Sequence, residues 1–279
     1  MRKSAFRLSE VDYGTIRDYF LDNFALILPV GITDQKLSRI ERLCRDERIE
    51  SPLDLLTNNT TNDVTRGLSK LISIFTINHT DFFREQLHFD FFTSEILPTI
   101  SSNTPNIIDN DIRIWSAASS TGEEPYSILM AMIDFFGDDY WKLNAGVLAT
   151  DIDKEALSKG INGIFRHSKV KKLSRKNISK FFSRLNDREY LIEEKLRKEI
   201  LFRWLNLNIT KFPMQNNFHV IFCRNVLQYF PIGTRGQIVK KLSNCLFKNG
   251  YLFLGISETY IMEQPDLRRV GPAIYQKMN

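Results

Sequence analysis

One stretch of the sequence, residues 112–151, restricts the fold more than any other, because it predicts a strand, a loop, a helix and a second strand in succession. Ile112–Trp115 is a short apolar run typical of a buried strand, and Ala145–Thr150 is another. Between them, apolar residues recur at helical spacing on one face. These residues are Ile128, Leu129, Met132, Ile133 and Phe136. A strand–helix–strand unit favours parallel strand pairing, and therefore an α/β fold.

The same alternation of strands and helices continues toward the C-terminus. The predicted elements are a helix over Lys154–Lys159 that Gly160 ends, a strand over His219–Cys223, a helix over Ile238–Leu246 and a strand over Tyr251–Gly255. Alternation of this kind predicts a mostly parallel sheet. A chain of 279 residues has room for about two domains.

The first 85 or so residues lack strand-like alternation and Gly-rich turns, so we predict that they are helical. One helix should bury Leu37, Ile40, Leu43 and Cys44, and a second should cover Val64–Phe75. Basic residues recur every third position on one flank of the first helix. They are Lys36, Arg39, Arg42 and Arg45. On pattern alone, such a run is typical of a solvated face.

The stretch Lys169–Arg203 interrupts the rhythm of strands and helices. It is highly charged, and Glu189–Glu194 and Lys198–Trp204 are predicted to pair as a small hairpin. We therefore interpret this stretch as an insertion in the sheet domain.

Composition excludes several classes of protein. The longest apolar stretch near the start, Phe24–Val30, is far shorter than the roughly 18 residues that a membrane span requires. The N-terminus does not resemble a signal peptide, and three widely separated cysteines favour neither disulfides nor a zinc site. We expect no membrane insertion and a cytoplasmic location. The net charge of +5 favours an acidic partner, either nucleic acid or an acidic protein surface.

The loop Ser116–Pro125 has the composition of a ligand-binding loop. Its small residues let the backbone approach a ligand closely, and Ser120 or Thr121 could cap the following helix. A phosphate site requires a Gly-rich loop with a Lys, and this loop has neither. Its two carboxylates, Glu123 and Glu124, suit hydroxyl groups or a positively charged ligand instead.

Asp151 stands at the end of the second strand. In doubly wound sheets, an acid at this position typically accepts hydrogen bonds from ribose hydroxyls, and the ligand lies outside the carboxyl ends of the strands. Together with the small-residue loop, Asp151 predicts a nucleoside-bearing cofactor.

Five motifs occur in order along the chain. They are Asn78–Glu85 (NHTDFFRE), Trp115–Ser127 (WSAASSTGEEPYS), Ala149–Asp153 (ATDID), Phe222–Phe230 (FCRNVLQYF) and Gly250–Glu258 (GYLFLGISE). As an ordered set distributed over residues 78–258, they resemble the signatures of the CheR family of chemotaxis receptor methyltransferases.

The resemblance implies a fold and an activity. The fold would be α/β, with a Rossmann-like S-adenosylmethionine methyltransferase sheet, an N-terminal all-helical domain and a small inserted antiparallel β-subdomain. Residues 1–90 would form the helical domain and linker, residues 91–279 the methyltransferase domain, and the insertion would span about 166–203. The activity would be methylation of chemoreceptor glutamates in chemotaxis adaptation, with S-adenosylhomocysteine as the second product.

The resemblance also implies the residues of the site. Those that match cofactor-binding positions are Asn78, Thr80, Arg84, Glu124, Asp151, Asn206, Leu207, Arg224 and Asn225. Arg84 and Tyr229 match the residues that flank the transferred methyl, and are the catalytic candidates. A glutamate with a pKa of about 4.3 is already ionised at neutral pH, so no general base is needed. We expect no metal, and we interpret the four dispersed histidines as structural.

Two alternatives stay open. The chain could be a signalling module that binds S-adenosylmethionine or S-adenosylhomocysteine without transferring methyl, although it has both Arg84 and Tyr229. It could also methylate nucleic acid, but no aromatic platform interleaved with Lys and Arg is evident, so we expect no nucleic-acid partner. The resemblance instead places Lys36, Arg39, Arg42 and Arg45 where the family contacts the acidic cytoplasmic helices of receptors.

The chain between Phe182 and Asn206 is shorter than in family members that tether to a receptor tail. It lacks a Gly-rich loop and has Leu185–Arg188 in its place. We therefore predict that the protein does not depend on a C-terminal receptor pentapeptide. Calorimetric titration with such a peptide should show no binding, and a micromolar affinity would contradict this prediction.

Overall fold

The computed structural model describes residues 8–57, 65–102, 111–214, 217–261 and 264–278. Its strands are β1 (Asp111–Ala117), β2 (Asn144–Asp151), β3 (Ile164–Arg166), β4 (Phe182–Arg184), β5 (Glu189–Ile192), β6 (Ile200–Trp204), β7 (Phe218–Cys223), β8 (Leu246–Leu254), β9 (Leu267–Gly271) and β10 (Ile274–Lys277). Its α-helices are α1 (Glu10–Phe24), α2 (Asp34–Glu47), α3 (Arg66–Phe75), α4 (Gln86–Phe91), α5 (Leu97–Ser102), α6 (Glu123–Phe136), α7 (Lys154–Asn162), α8 (His167–Val170), α9 (Arg175–Phe181), α10 (Glu194–Lys198) and α11 (Ile232–Asn244).

Seven strands form the main sheet in the order β6-β2-β1-β7-β8-β10-β9. The first five run parallel, and β10 and β9 add an antiparallel edge. The chain moves outward from β1 through β2 to β6 and then returns to the other side of β1 as β7. This reversal is a topological switch point, and ligands bind outside the carboxyl ends of the strands at such a point. The Rossmann-like α/β fold expected from the sequence is confirmed.

Alternation along β1 shows how the sheet is covered on both faces. Ile112 and Ile114 belong to the hydrophobic core on one face, and Trp115 and Ala117 to the core on the other. Because successive side chains of a strand point to opposite faces, one short strand contributes to both cores. Each large side chain buried in this way contributes roughly 1.5–3 kcal/mol to folding.

The N-terminal helices α1 to α3 pack around a core of their own. In α2, Ile40, Leu43 and Cys44 are buried as predicted, and Leu37 is half-buried. Helix α3 begins after Thr65, whose side chain accepts from the Leu68 backbone N–H. Val64, where this helix was predicted to begin, lies outside the described residues. The division of the chain at residue 90 stays a prediction.

The predicted pairing of Glu189–Glu194 with Lys198–Trp204 is wrong. Strand β6 lies in the main sheet and pairs in parallel with β2, because its alternate side chains Ile200 and Phe202 are buried in the main core. Strand β5 instead forms a separate antiparallel sheet with β3 and β4. The inserted sheet therefore begins at residue 164, and the insertion ends before residue 200 rather than near 203. Three-residue strands are too short for their alternation to be recognised in the sequence.

Two predicted helix boundaries also need correction. Gly160 does not end α7. A Cβ there would lie 2.6 Å from the Phe202 ring, so this position serves close packing. Helix α7 ends at Asn162, and the C-cap residue is Gly163, with φ 66°. Neither Ser120 nor Thr121 caps α6, because Gly122 is its N-cap residue with φ 98° and no side-chain bond.

Farther along the chain, the helix predicted to reach Leu246 ends at Asn244, and Leu246 begins β8. None of the described helices is long and apolar enough to cross a membrane.

Candidate functional site

A cleft of about 1120 Å³, including its open mouth, lies at the carboxyl ends of the parallel strands. Four consecutive strands of the sheet contribute to its floor. Ala118–Ser120 follows β1, Asp151 ends β2, Leu205–Leu207 follows β6, and Arg224–Val226 follows β7. The cleft is therefore at the switch point that the strand order defines.

The other walls of the cleft come from the N-terminal part of the chain. An apolar wall is formed by Leu26–Leu28 and Phe75. The stretch that follows, residues 76–85, is called the rim segment, and Thr76–Asp81 and Arg84 of this segment line the cleft. Near the apolar wall, two hydrogen bonds join this part to segments that follow strands of the sheet. The Ile27 backbone N–H donates to the Tyr229 carbonyl at 2.8 Å, and the Asn206 amide donates to the Asn23 carbonyl at 3.1 Å.

The structure brings together all ten predicted cofactor and catalytic residues. Those that line the cleft are Asn78, Thr80, Arg84, Glu124, Asp151, Asn206, Leu207, Arg224, Asn225 and Tyr229. The individual role of each residue stays a prediction.

The loop after β1 is shaped by unusual backbone geometry. Ala118 and Ser120 have φ values of 63° and 50°, in the left-handed region that costs energy for residues other than Gly. Phe83, Glu85 and Asn225, which flank the same cleft, also have positive φ values. Strained backbone that gathers around one cleft indicates a functional site.

Ser119 lies between the two strained positions of this loop. Its backbone N–H donates to the Thr150 carbonyl, and its buried hydroxyl has no hydrogen-bond partner among the described residues. A buried hydroxyl without a partner is costly, and a polar ligand in the cleft would satisfy it.

Asp151 is buried at the end of β2. Its carboxylate accepts from the backbone N–H groups of Ser120, at 2.7 Å, and Asp153, at 2.9 Å. Burial raises the pKa of Asp151 to about 6, because removal from water disfavours the charged form more than these hydrogen bonds favour it. At neutral pH the carboxylate is ionised and fixed in orientation by the loop.

Asp153 explains how the rim segment is attached to the floor. Its side chain caps α7 through the backbone N–H groups of Glu155 and Ala156. The same carboxylate accepts from Thr76 at 2.9 Å and from the Asn78 amide at 2.7 Å. The side-chain oxygen of Asn78, Oδ1, in turn accepts from the Ser120 hydroxyl at 3.0 Å, so Asn78 joins the rim segment to the loop after β1.

A buried guanidinium connects three parts of the cleft. Arg224 donates to Glu124 at 3.0 Å, to Glu85 at 3.0 Å and to the Arg84 carbonyl. Glu124 also accepts from Ser116 at 2.7 Å. Burial raises the pKa of Glu124, and the charge of Arg224 opposes that rise. Arg224 is thus a structural cation whose charge two carboxylates neutralise.

Arg84 differs from Arg224 in its partners. Its guanidinium donates to the His79 carbonyl at 2.7 Å, and no carboxylate in the described part of the chain pairs with it. Tyr229 lies near this cation, which acts to lower its pKa, but burial outweighs that effect and raises the pKa of Tyr229. The cleft therefore offers a cation without a carboxylate partner beside a protonated phenol.

The basic flank of α2 is not part of the cleft lining. The Lys36 ammonium lies 5.5 Å from the centre of the Phe75 ring, and Arg39 donates to the Ser73 carbonyl at 3.2 Å. Arg42 pairs with Asp46 at 3.7 Å, and Arg45 is exposed. Lys36 and Arg39 thus contact the helix that ends at the cleft, whereas Arg42 and Arg45 face solvent.

Sequence reasoning missed several residues of the site. Glu85 was part of a recognised motif but had no assigned role, and nothing in the sequence placed it against Arg224. Asp153 precedes a helix, a signal that predicts a cap but not its bonds to α3 and the rim. The apolar run Phe24–Val30 served only to exclude a membrane span, yet three of its residues line the cleft.

Comparison with known proteins agrees with this geometry. A family model described as the CheR methyltransferase, SAM binding domain, matches residues 78–273. The chain belongs to the CheR methyltransferase family. The matched region includes every strand of the main sheet except β10.

Curated relatives extend the comparison. The chain is 38% identical to a chemotaxis protein methyltransferase of Borreliella burgdorferi over 75% of this chain and 74% of that one. It is 31% identical to the chemotaxis protein methyltransferase of Escherichia coli over 96% of this chain and 91% of that one. These relatives support methylation in chemotaxis as the general activity of this CheR chain.

Among solved structures, the magnesium protoporphyrin IX methyltransferase of Synechocystis matches 87% of this chain and 70% of its own. The TM-score is 0.34 and the identity 12%, a similarity too low to bear on the chemistry.

The residues of the cleft fit S-adenosylmethionine. The Ser119 hydroxyl and the Asp151 carboxylate are polar groups for a nucleoside, and Leu26–Leu28 and Leu207 supply apolar surface. In the ranges that the structure describes, no cluster of His, Cys, Asp or Glu is arranged to hold a metal ion.

Replacing Asp151 with Asn should weaken binding of S-adenosylhomocysteine by roughly 10-fold to 100-fold, as expected when hydrogen bonds to a charged group are lost. In the wild type, affinity should fall as the pH falls through about 6, the raised pKa of Asp151, because a ligand that binds the ionised carboxylate competes with its proton. Isothermal titration calorimetry from pH 5 to 8 measures both effects.

The matched control is Asp187→Asn, because the Asp187 side chain is 95% exposed in the inserted β-subdomain. This variant should keep the affinity and pH profile of the wild type. A pH profile that persists unchanged in Asp151→Asn would contradict the assignment of Asp151.

Proposed function

We propose that this chain transfers a methyl group from S-adenosylmethionine to glutamate side chains of methyl-accepting chemoreceptors. The products are glutamate methyl esters and S-adenosylhomocysteine, formed during adaptation in chemotaxis. The observation that carries the proposal is the pair Arg84 and Tyr229 on the wall of the cleft. Arg84 has no carboxylate partner among the described residues, so an incoming substrate carboxylate is complementary to it.

The electrostatics of the site match a carboxylate substrate. A glutamate side chain is ionised at neutral pH, since its ordinary pKa is about 4.3, and no residue has to remove a proton from it. Arg84 has a permanent charge and a planar fork of donors, which suit it to orient a carboxylate. Tyr229 is protonated at neutral pH, and burial raises its pKa further, so its hydroxyl is available as a hydrogen-bond donor. Alignment of this kind can supply roughly 7–11 kcal/mol in favourable cases.

The cofactor supplies an electrophilic methyl group bonded to a positively charged sulfur. In the proposal, Asp151 accepts from the ribose hydroxyls, and Asn206 and Leu207 lie beside the adenine. Asn78, Thr80 and Arg84 approach from the rim, and Glu124, Arg224 and Asn225 complete the opposite side. Acidic residues near a positively charged ligand are electrostatically favourable.

The proposed macromolecular partner is the acidic cytoplasmic helices of receptors, which places the protein in the cytoplasm. Lys36, Arg39, Arg42 and Arg45 are the proposed contacts on α2. The turn Arg184–Glu189 of the inserted sheet is closed by its own hydrogen bonds, among them Leu185 N–H to the Glu189 carbonyl at 3.0 Å. A compact turn supports the view that no receptor pentapeptide docks there.

Incubation of the protein with methyl-labelled cofactor and receptor-containing membranes should label the receptor. The label should be released as methanol by mild base, because a glutamate methyl ester hydrolyses under conditions that leave N-methyl groups intact. Arg84→Met should lower the rate by roughly 100-fold, since it removes the cation that orients the carboxylate. Scintillation counting of the base-released methanol is the measurement.

Tyr229→Phe, which removes the proposed hydrogen-bond donor, should also lower the rate, and Tyr126→Phe provides a matched control for it. The Tyr126 hydroxyl is buried and donates to the Gly160 carbonyl, away from the cleft lining. Loss of the Tyr126 hydroxyl should leave the catalytic rate, relative to the affinity for cofactor, equal to that of the wild type. Cofactor binding without label transfer to receptor would favour the binding module instead, and label transfer to nucleic acid would favour the other alternative.

Reversing the two solvent-facing charges of α2, in the double variant Arg42→Glu and Arg45→Glu, should raise the Michaelis constant for receptor. The affinity for S-adenosylhomocysteine should stay within about twofold of the wild type, because neither side chain contacts the cleft and exposed ion pairs contribute little to stability. Initial rates at varied receptor concentration are the measurement.

The control reverses two exposed lysines elsewhere, Lys240→Glu and Lys248→Glu, and changes the net charge equally. Lys248 is at the amino end of β8, on the side of the sheet away from the cleft. Equal Michaelis constants for the two double variants would refute a specific role for α2.

A further inference from the structure

We propose that Lys169 of the inserted β-subdomain is a positioning residue for methyl transfer, which holds the rim segment that carries Asn78, Thr80 and Arg84. This inference rests on the proposed function, since it assigns a further residue to the same reaction. Lys169 does not line the cleft and touches neither ligand site, so it acts only through the segment that it holds.

The Lys169 ammonium has three partners. It donates to the Thr80 carbonyl, lies 3.0 Å from an Asp81 carboxylate oxygen and lies 3.4 Å from a Glu123 carboxylate oxygen. Two of these partners belong to the rim segment, and the third is the first residue of α6. Lys169 therefore ties the inserted β-subdomain, the rim segment and the start of α6 together at one point.

Glu123 depends on this contact. It is 3% exposed, and burial raises its pKa, while Thr121 and Lys169 act in the opposite direction. Among the described residues, Lys169 is the cation that pairs with it. A buried carboxylate that loses its cation becomes costly, so the start of α6 is also affected when Lys169 is removed.

An aromatic contact reinforces the same connection. The Phe82 ring packs edge-on against two rings of the inserted sheet. Its centroid lies 4.9 Å from that of Phe165 in β3 and 5.6 Å from that of Phe182 in β4. Phe82 is thus inserted into the core of the inserted β-subdomain, one residue beyond Asp81. The rim segment is anchored there by both apolar packing and charge.

The anchored segment leads directly to Arg84. The His79 carbonyl, next to Thr80, accepts from the Arg84 guanidinium at 2.7 Å. On the other side, the Arg84 carbonyl accepts from Arg224. Arg84 is therefore held by two contacts, one to the His79 carbonyl and one to Arg224, and Lys169 positions the chain beside the first contact.

Lys172 provides a matched control on the same subdomain. Its ammonium pairs with the other Asp81 oxygen at 2.9 Å, but its side chain is 57% exposed, against 29% for Lys169. Among the described residues, it forms no hydrogen bond or ion pair with Thr80 or Glu123, and exposed pairs of this kind contribute little. The two lysines therefore separate a general loss of charge near Asp81 from loss of the specific contact.

Three measurements on Lys169→Met, Lys169→Arg and Lys172→Met test the inference. They are the affinity for S-adenosylhomocysteine by calorimetry, amide hydrogen exchange over residues 78–85, and separate values of the catalytic rate and the Michaelis constant for receptor.

Lys169→Met should weaken product affinity roughly tenfold and lower the catalytic rate roughly tenfold or more. Amide exchange in the rim segment should become faster, and the Michaelis constant for receptor should stay within about twofold of the wild type. Lys169→Arg should restore most of this loss, and Lys172→Met should match the wild type.

Product affinity and exchange rates in Lys169→Met that equal those of the wild type would overturn the inference. If this variant fails to fold, Glu123→Gln removes one partner of the same ammonium and should give a smaller change of the same kind, and no change there would also overturn it. If the wild type itself transfers no methyl to receptor, the proposed function fails, whereas product affinity and exchange still decide whether Lys169 holds the segment.

Discussion

The buried guanidinium of Arg224 is the interaction on which the rest of the site depends. It comes from the end of β7 and joins Glu124 of α6 to Glu85 of the rim segment. These three pieces of chain are far apart in sequence, and no apolar contact could fix their charged ends at hydrogen-bond distance. Removal of one partner from a buried ion pair typically costs about 3–5 kcal/mol, because the other charge is left without compensation. The position of the cleft wall is therefore secured electrostatically, and the packing of the sheet places the charges.

The two arginines of the cleft, Arg224 and Arg84, differ in burial and in their hydrogen-bond partners. Arg224 is buried, paired with two carboxylates and packed 5.6 Å over the Phe89 ring. Arg84 is half-buried and bonded to a carbonyl, which leaves its charge available. Both arginines were expected near the cofactor, and only their partners distinguish a structural cation from one that can receive a substrate.

The central fold could be predicted because its signals are local. The apolar runs of β1 and β2 and the helical face of α6 each lie within one short stretch of sequence, and their alternation fixes the class of the sheet. The ten residues of the cleft could be predicted because family motifs carry them, not because periodicity reveals them. The three-stranded insertion could not be predicted, since its strands of three or four residues show no period. Gly160 was misread for a related reason: its partner, the Phe202 ring, is 42 positions away and invisible to a local pattern.

Contacts between segments that are distant in sequence could not be predicted either. The bonds from Asp153 to Thr76 and Asn78 span more than 70 positions, and that from Arg224 to Glu85 spans 139. No helix or strand signal encodes such contacts, because they exist only after the elements have packed. Strained φ values at Ala118 and Ser120 also oppose the local preference of those residues and depend on the assembled cleft.

The apolar wall formed by Leu26–Leu28 has a thermodynamic consequence. Because one wall of the cleft comes from the N-terminal part of the chain and the floor from the sheet, a nucleoside that fills the cleft would contact both parts at once. Any ligand that binds only the assembled form stabilises it by an amount that grows with the logarithm of ligand concentration. Cofactor and product bound there would act as reversible cross-links between the two parts, so resistance of the chain to proteolysis would rise with their concentration.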